Sequence, residues 1–212
     1  MIAHPYYPQN IFLPGYIPNT LSTPQLLMFA TIVMSVFFTC AYTMVRNKVG
    51  GVDALRFIWF LLSGFLHCGF ELYFILHHDT LANRTDIIAQ LWKEYAHSDS
   101  RYLSSDPLVL SLETITVCIL GPLCLVAALS IRSHHPSQYV WQLIISVAHM
   151  FSCSLYFVMD LPTGFHNCDP HPVYFWVYFV TFNAFWLVMP FLLVIQSYHK
   201  ITYNAQNKPK AS

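Results

Sequence analysis

Charge is what this sequence has least of. Asp, Glu, Lys and Arg make up only 9% of its 212 residues, against about 25% in a soluble domain. So few charges cannot cover the surface of a globule of this size, which excludes a cytosolic enzyme and a disordered tail. The ten basic residues only balance the ten acidic ones, so the basic footprint that nucleic acid needs is missing and no nucleic-acid partner is expected. No CxxC pair, HExxH pattern, glycine-rich nucleotide loop or Ser-nucleophile motif occurs. The N-terminus lacks the basic region of a signal peptide, and Pro5, Pro8, Pro14 and Pro18 break any helix there.

Apolar residues are abundant instead. They make up 56% of the chain, aromatics 17%, and the mean hydropathy is +0.48. Five stretches are long enough to cross about 30 Å of hydrocarbon as helices: residues 26–45, 58–76, 108–131, 139–161 and 173–196. They predict an all-α integral membrane protein, a five-transmembrane-helix bundle forming one domain over residues 1–212. Pro122 and Pro190 fall inside spans, where neighbours must satisfy the freed carbonyls. Trp59, Trp141 and Trp176 are expected in an interfacial belt. Of six cysteines, all but Cys168 sit in apolar stretches, so they read as small apolar side chains rather than a disulfide framework.

Basic residues set the expected orientation. The connections after spans one and three, with the tail 197–212, hold Arg46, Lys48, Arg56, Arg132, Lys200, Lys208 and Lys210. The opposite side holds Arg84, Lys93 and Arg101. This asymmetry predicts a cytosolic C-terminus. The connection over 77–107 is long for a bundle. It is read either as a cap over a cavity or as a surface loop with no role beyond connecting.

Ionisable groups deep in a bilayer cost about 2.5–3.5 kcal/mol or more, so they face the interior and mark function. Here they are His67, Glu71 and Glu113, with His149 a fourth candidate. His67 and Glu71, four apart, share a helix face with Gly64. Glu113 pairs likewise with Thr116, and Asn183 with Trp186. At 1.5 Å per residue, Glu71 and Glu113 lie ~8 Å from one membrane face, His67 and Thr116 ~13 Å, Asn183 ~16 Å, His149 ~18 Å and Trp186 ~20 Å. One intramembrane ligand cavity would meet them all. Two carboxyls and an imidazole form an acid–base set, with one Glu held protonated and the other ionised. Trp186 offers a face that stabilises a cation. Together they suit a reaction through a carbocation.

Blander readings stand beside this one. His149 alone reads as interhelical glue, and Trp186 alone as packing. Two imidazoles and two carboxylates (His67, His149, Glu71, Glu113) could also hold a metal, although no ligand motif supports that, and no metal is expected.

The segments Gly64-Phe65-Leu66-His67 with Glu71, Gln90-Leu91-Trp92-Lys93-Glu94-Tyr95, Asp99-Ser100-Arg101-Tyr102, Glu113-Thr114-Ile115-Thr116, Gly121-Pro122-Leu123 and Asn183-Ala184-Phe185-Trp186 closely resemble the emopamil-binding protein family. The opening His4-Pro5-Tyr6-Tyr7-Pro8 resembles it too, and the match runs over nearly the whole chain. The resemblance implies a 3β-hydroxysteroid isomerase of sterol biosynthesis in the endoplasmic reticulum, which moves the ring double bond from the 8(9) to the 7(8) position. It implies a homodimer of five-helix bundles, no redox cofactor or metal, and binding of cationic amphiphilic drugs beside the sterol substrate. His67 and Glu71 match the family's proton-handling pair and Glu113 its second carboxylate. Thr116, Asn183 and Trp186 match cavity positions, and Tyr95 and Tyr102 the loop above them. Either His67 or Glu113 could donate the proton.

The chain departs from the family pattern at Ala148-His149-Met150-Phe151-Ser152-Cys153, where a Gln and a Tyr-Gly pair are expected. His149 is therefore not a general requirement and is expected to tune substrate fit. The tail Lys208-Pro209-Lys210-Ala211-Ser212 resembles a cytosolic dilysine retrieval signal. The alternative function is a non-catalytic sterol- and drug-binding relative; retention of His67, Glu71 and Glu113 together favours the enzyme.

Overall fold

A computed structural model describes residues 4–206. The retrieval-type tail at 208–212 lies outside the described residues. Among the described residues every regular element is helical. Five helices are long and apolar enough to cross a membrane: α1 (Thr23–Val45), α2 (Gly51–His77), α4 (Pro107–Arg132), α5 (Gln138–Asp160) and α6 (Val173–Gln206). A short helix, α3 (Ile87–Tyr95), lies in the long connection. The helix α2 starts ahead of Ile58, so Asp53 and Arg56 belong to it rather than to a loop.

The spans pack as two main pairs, α2 along α4 and α5 along α6. Lipid tails offer no hydrophobic drive between helices, so close packing must do that work. Gly64 and Gly121 supply it. A Cβ on Gly64 would sit 2.6 Å from Leu125 Cδ2, and one on Gly121 would sit 2.6 Å from Cys68 Sγ and 3.1 Å from His67 Cβ. By contrast α1 buries only Leu26, Ala41 and Val45. Its exposed Leu27, Met28, Ile32 and Val36 form a lipid-type surface.

Three of the spans contain π-helical segments: Leu66–Glu71 in α2, Thr116–Leu120 in α4 and Val173–Thr181 in α6. Such segments leave the i→i−4 ladder and recur at functional sites. The two in α2 and α4 lie against each other.

Each end of the bundle is closed by a polar network. At one end Arg56 is buried, donating through Nε to Gln142 Oε1 at 2.6 Å and through Nη1 to Asp53 Oδ1 at 2.6 Å. Arg56 is thus not a loop charge, which trims the basic asymmetry. Trp59 is likewise no belt residue: it is buried, with its ring 5.6 Å from that of Trp186. Trp176 is 61% exposed, as a belt position would be.

At the other end the 77–107 connection is a packed cap. Gln90 Oε1 accepts from the backbone N–H of Thr20 and of Leu21, each at 2.9 Å. Lys93 Nζ donates to the carbonyls of Ile17 and Arg84, each at 2.8 Å. Glu94 accepts from Thr23 Oγ1 at 3.0 Å and from Tyr178 OH at 3.2 Å. One short helix thereby ties the N-terminal segment, α1 and α6 together. Asp99 accepts from Arg101 Nη2 and from Tyr156 OH, each at 2.7 Å, which fastens the next turn to α5.

Candidate active site

The π-helical turn of α2 presents His67, which is 2% exposed. Its Nδ1 lies 2.7 Å from both carboxylate oxygens of Glu71. A carboxylate only accepts, so Nδ1 carries the proton and the ring's free position is Nε2. That atom lies 3.1 Å from Nε2 of His149 on α5. When His67 is neutral, His149 Nε2–H donates to it; when His67 is an imidazolium the direction reverses.

The carboxyls of Glu71 and Glu113 also act on each other where α2 and α4 pack together. On its other side Glu113 Oε1 accepts from Tyr102 OH at 2.5 Å. Burial, and then the neighbouring Glu113 carboxyl, push the Tyr102 hydroxyl well above the usual phenol range, so it remains a donor. The result is a row of neighbouring polar groups, Tyr102 bonded to Glu113 and Glu71 to His67 and on to His149, across the cap and three spans.

The remaining predicted residues lie around this row. Asn183 Nδ2 donates to Tyr95 OH at 3.2 Å and to the Phe179 carbonyl at 2.7 Å. The rings of Tyr95 and Tyr102 are 5.6 Å apart. Trp186 places its ring 6.4 Å from that of His67, and its Nε1 is buried with no partner among the described residues. Thr116 donates to the Leu112 carbonyl of its own helix at 3.0 Å. Two clefts of about 470 and 400 Å³ open at the capped end, and neither is lined by His67, Glu71 or Glu113.

Three features were not anticipated. His149, an intramembrane candidate read as interhelical glue or a tuner of substrate fit, contacts His67 directly. Trp92 Nε1 donates to the Phe70 carbonyl at 3.0 Å, and its ring stacks on Phe70 at 4.3 Å. The cap therefore satisfies backbone inside the turn that carries His67 and Glu71. Finally, metal-ligating atoms converge as His67, Cys124 and His149, a different set from the one weighed with the two carboxylates.

Together these elements define a multi-span membrane protein with a buried acid–base centre beneath an aromatic cap. The family model described as EXPERA (EXPanded EBP superfamily) matches residues 87–197. The rat 3-beta-hydroxysteroid-Delta(8),Delta(7)-isomerase is 35% identical, over 96% of this chain and 90% of its own. The guinea pig protein of that name is 37% identical, over 96% and 91%, and the mouse protein 36%, over 94% and 89%. The chain belongs to the EXPERA superfamily.

Proposed function

We propose that the chain is an isomerase that moves the ring double bond of a 3β-hydroxysteroid from the 8(9) to the 7(8) position. The single observation that carries the mechanism is Glu71, which holds His67 Nδ1 at 2.7 Å and has the Glu113 carboxyl as its neighbour. Double-bond transposition adds one proton and removes another, with no net change in electrons. The proton joins C9, the cation forms at C8, and the proton at C7 leaves to close the new double bond. A row of neighbouring acid and base groups can return the second proton to the donor site.

In this reading His67, held by Glu71, delivers the first proton. Glu113, held by Tyr102, balances the cation and receives the second. The Trp186 face lies beside the cation, and Asn183, Thr116, Tyr95 and Tyr102 line the intramembrane sterol cavity. A cationic amphiphilic drug would bind there because its ammonium takes the place of the sterol cation. We place the protein in the endoplasmic-reticulum membrane as a homodimer with its C-terminus cytosolic. The basic residues of the tail support that orientation.

The test is incubation of purified protein with an 8(9)-sterol in deuterated water. Product with deuterium at C9 is expected. Sterol binding without conversion would make the chain a binding protein instead.

A further inference from the structure

The rings of His67 and His149 meet nitrogen to nitrogen, 3.1 Å apart. Cys124 on α4 completes a group whose three ligand atoms all lie within 4.8 Å of one another. We propose that His67 Nε2, His149 Nε2 and Cys124 Sγ form a binding site for a thiophilic divalent ion of the zinc type.

Four observations support this. Imidazole and thiolate are the donors zinc prefers, at about 2.0–2.1 Å and 2.3 Å. Two imidazole nitrogens on one tetrahedral ion at those lengths stand about 3.3 Å apart, close to the 3.1 Å found here. His67 already has the partner that a metal-bound histidine needs, because Glu71 accepts from its Nδ1 and so aims the Nε2 lone pair inward. The three ligands come from three different spans and are all buried, at 2%, 1% and 0% exposure for His67, His149 and Cys124. Three protein ligands leave a fourth position for water or a small anion.

Binding exchanges the Cys124 thiol proton for the metal–sulfur bond, and the proton leaves to solvent. Affinity therefore rises with pH. An ion there ties α2, α4 and α5 together and raises thermal stability. It also occupies His67 Nε2, so it inhibits turnover; this last consequence alone rests on the isomerase reading.

The experiment titrates the purified full chain in detergent with Co2+ and then displaces it with Zn2+. One equivalent of Co2+ is expected to give tetrahedral absorption with a thiolate charge-transfer band. Cys124→Ser should lose that band and weaken binding at least tenfold, and His149→Gln should weaken it similarly. Zn2+ should raise the thermal midpoint of the parent and not of Cys124→Ser. Absence of saturable Co2+ binding, or an unchanged spectrum in Cys124→Ser, overturns the site. Turnover separates the two readings. Zn2+ should inhibit the parent reversibly with chelator, while Cys124→Ser turns over and resists Zn2+. If the spectra appear as expected but Zn2+ leaves turnover unchanged, the metal site stands and the role given to His67 falls.

Discussion

Trp92 of the cap donates its indole N–H to the carbonyl of Phe70, at 3.0 Å. Phe70 lies between His67 and Glu71 on a π-helical turn. A turn that leaves the regular ladder exposes a carbonyl, and in a low-dielectric interior that carbonyl needs a donor. The cap therefore holds in place the turn that sets the acid–base pair. Trp92→Phe keeps the ring and removes the donor. It should cost about 0.5–1.5 kcal/mol of stability and lower turnover by roughly tenfold, while Trp92→Tyr keeps no donor at the same point and should behave alike. Thermal unfolding in detergent and a turnover assay check this.

Gly121 makes the close crossing of α2 and α4 possible beside the site. A methyl there would lie 2.6 Å from Cys68 Sγ and 3.1 Å from His67 Cβ. Gly121→Ala should cost about 1–3 kcal/mol through overpacking and displace His67 enough to reduce turnover sharply. Gly69→Ala is the matched control, because a methyl there meets nothing within 4 Å. Equal activity in both variants would contradict the account.

Lys93 is fully buried and its charge is answered by two carbonyls, those of Ile17 and Arg84. Burial lowers its pKa from the usual lysine value. Lys93→Met leaves both carbonyls without their donor and should destabilise the cap by about 1–3 kcal/mol. The check is the thermal midpoint, together with proteolysis of the N-terminal segment that this lysine anchors.

His97 gives the cap a pH dependence. Its ring is stacked on Tyr174 at 4.4 Å, and burial lowers its pKa below the usual 6.5 despite Glu94 and Asp169 nearby. A depressed pKa means that the folded state binds fewer protons than the unfolded chain across that window. Stability is therefore full above about pH 6.5 and falls as pH drops toward the lowered folded value. The thermal midpoint should decline on acidification from about pH 7.5 to 5.5. His97→Phe keeps the stacking without a titratable group and should flatten the decline.

Much of this was legible in the sequence, for a physical reason. Apolar length and scarce charge identify membrane helices because the bilayer tolerates little else, and His67, Glu71 and Glu113 stand out because charge there is costly. Less could be read where three-dimensional packing decides. Arg56 looked like a loop cation and is buried against Gln142 and Asp53. Trp59 looked interfacial and packs on Trp186. The π-helical turns break the 3.6-residue period on which any face assignment rests. His149 carries no motif; only the three-dimensional packing of the spans brings it to His67.

The central claim is that His67 and Glu113 move the protons of the reaction. Turnover of an 8(9)-sterol by folded His67→Ala and Glu113→Gln tests it most directly, with each variant's thermal midpoint confirming an intact fold. Each should lose about 10²–10⁴-fold in turnover while still binding sterol. Turnover within twofold of the parent in either variant would contradict the role assigned to that residue.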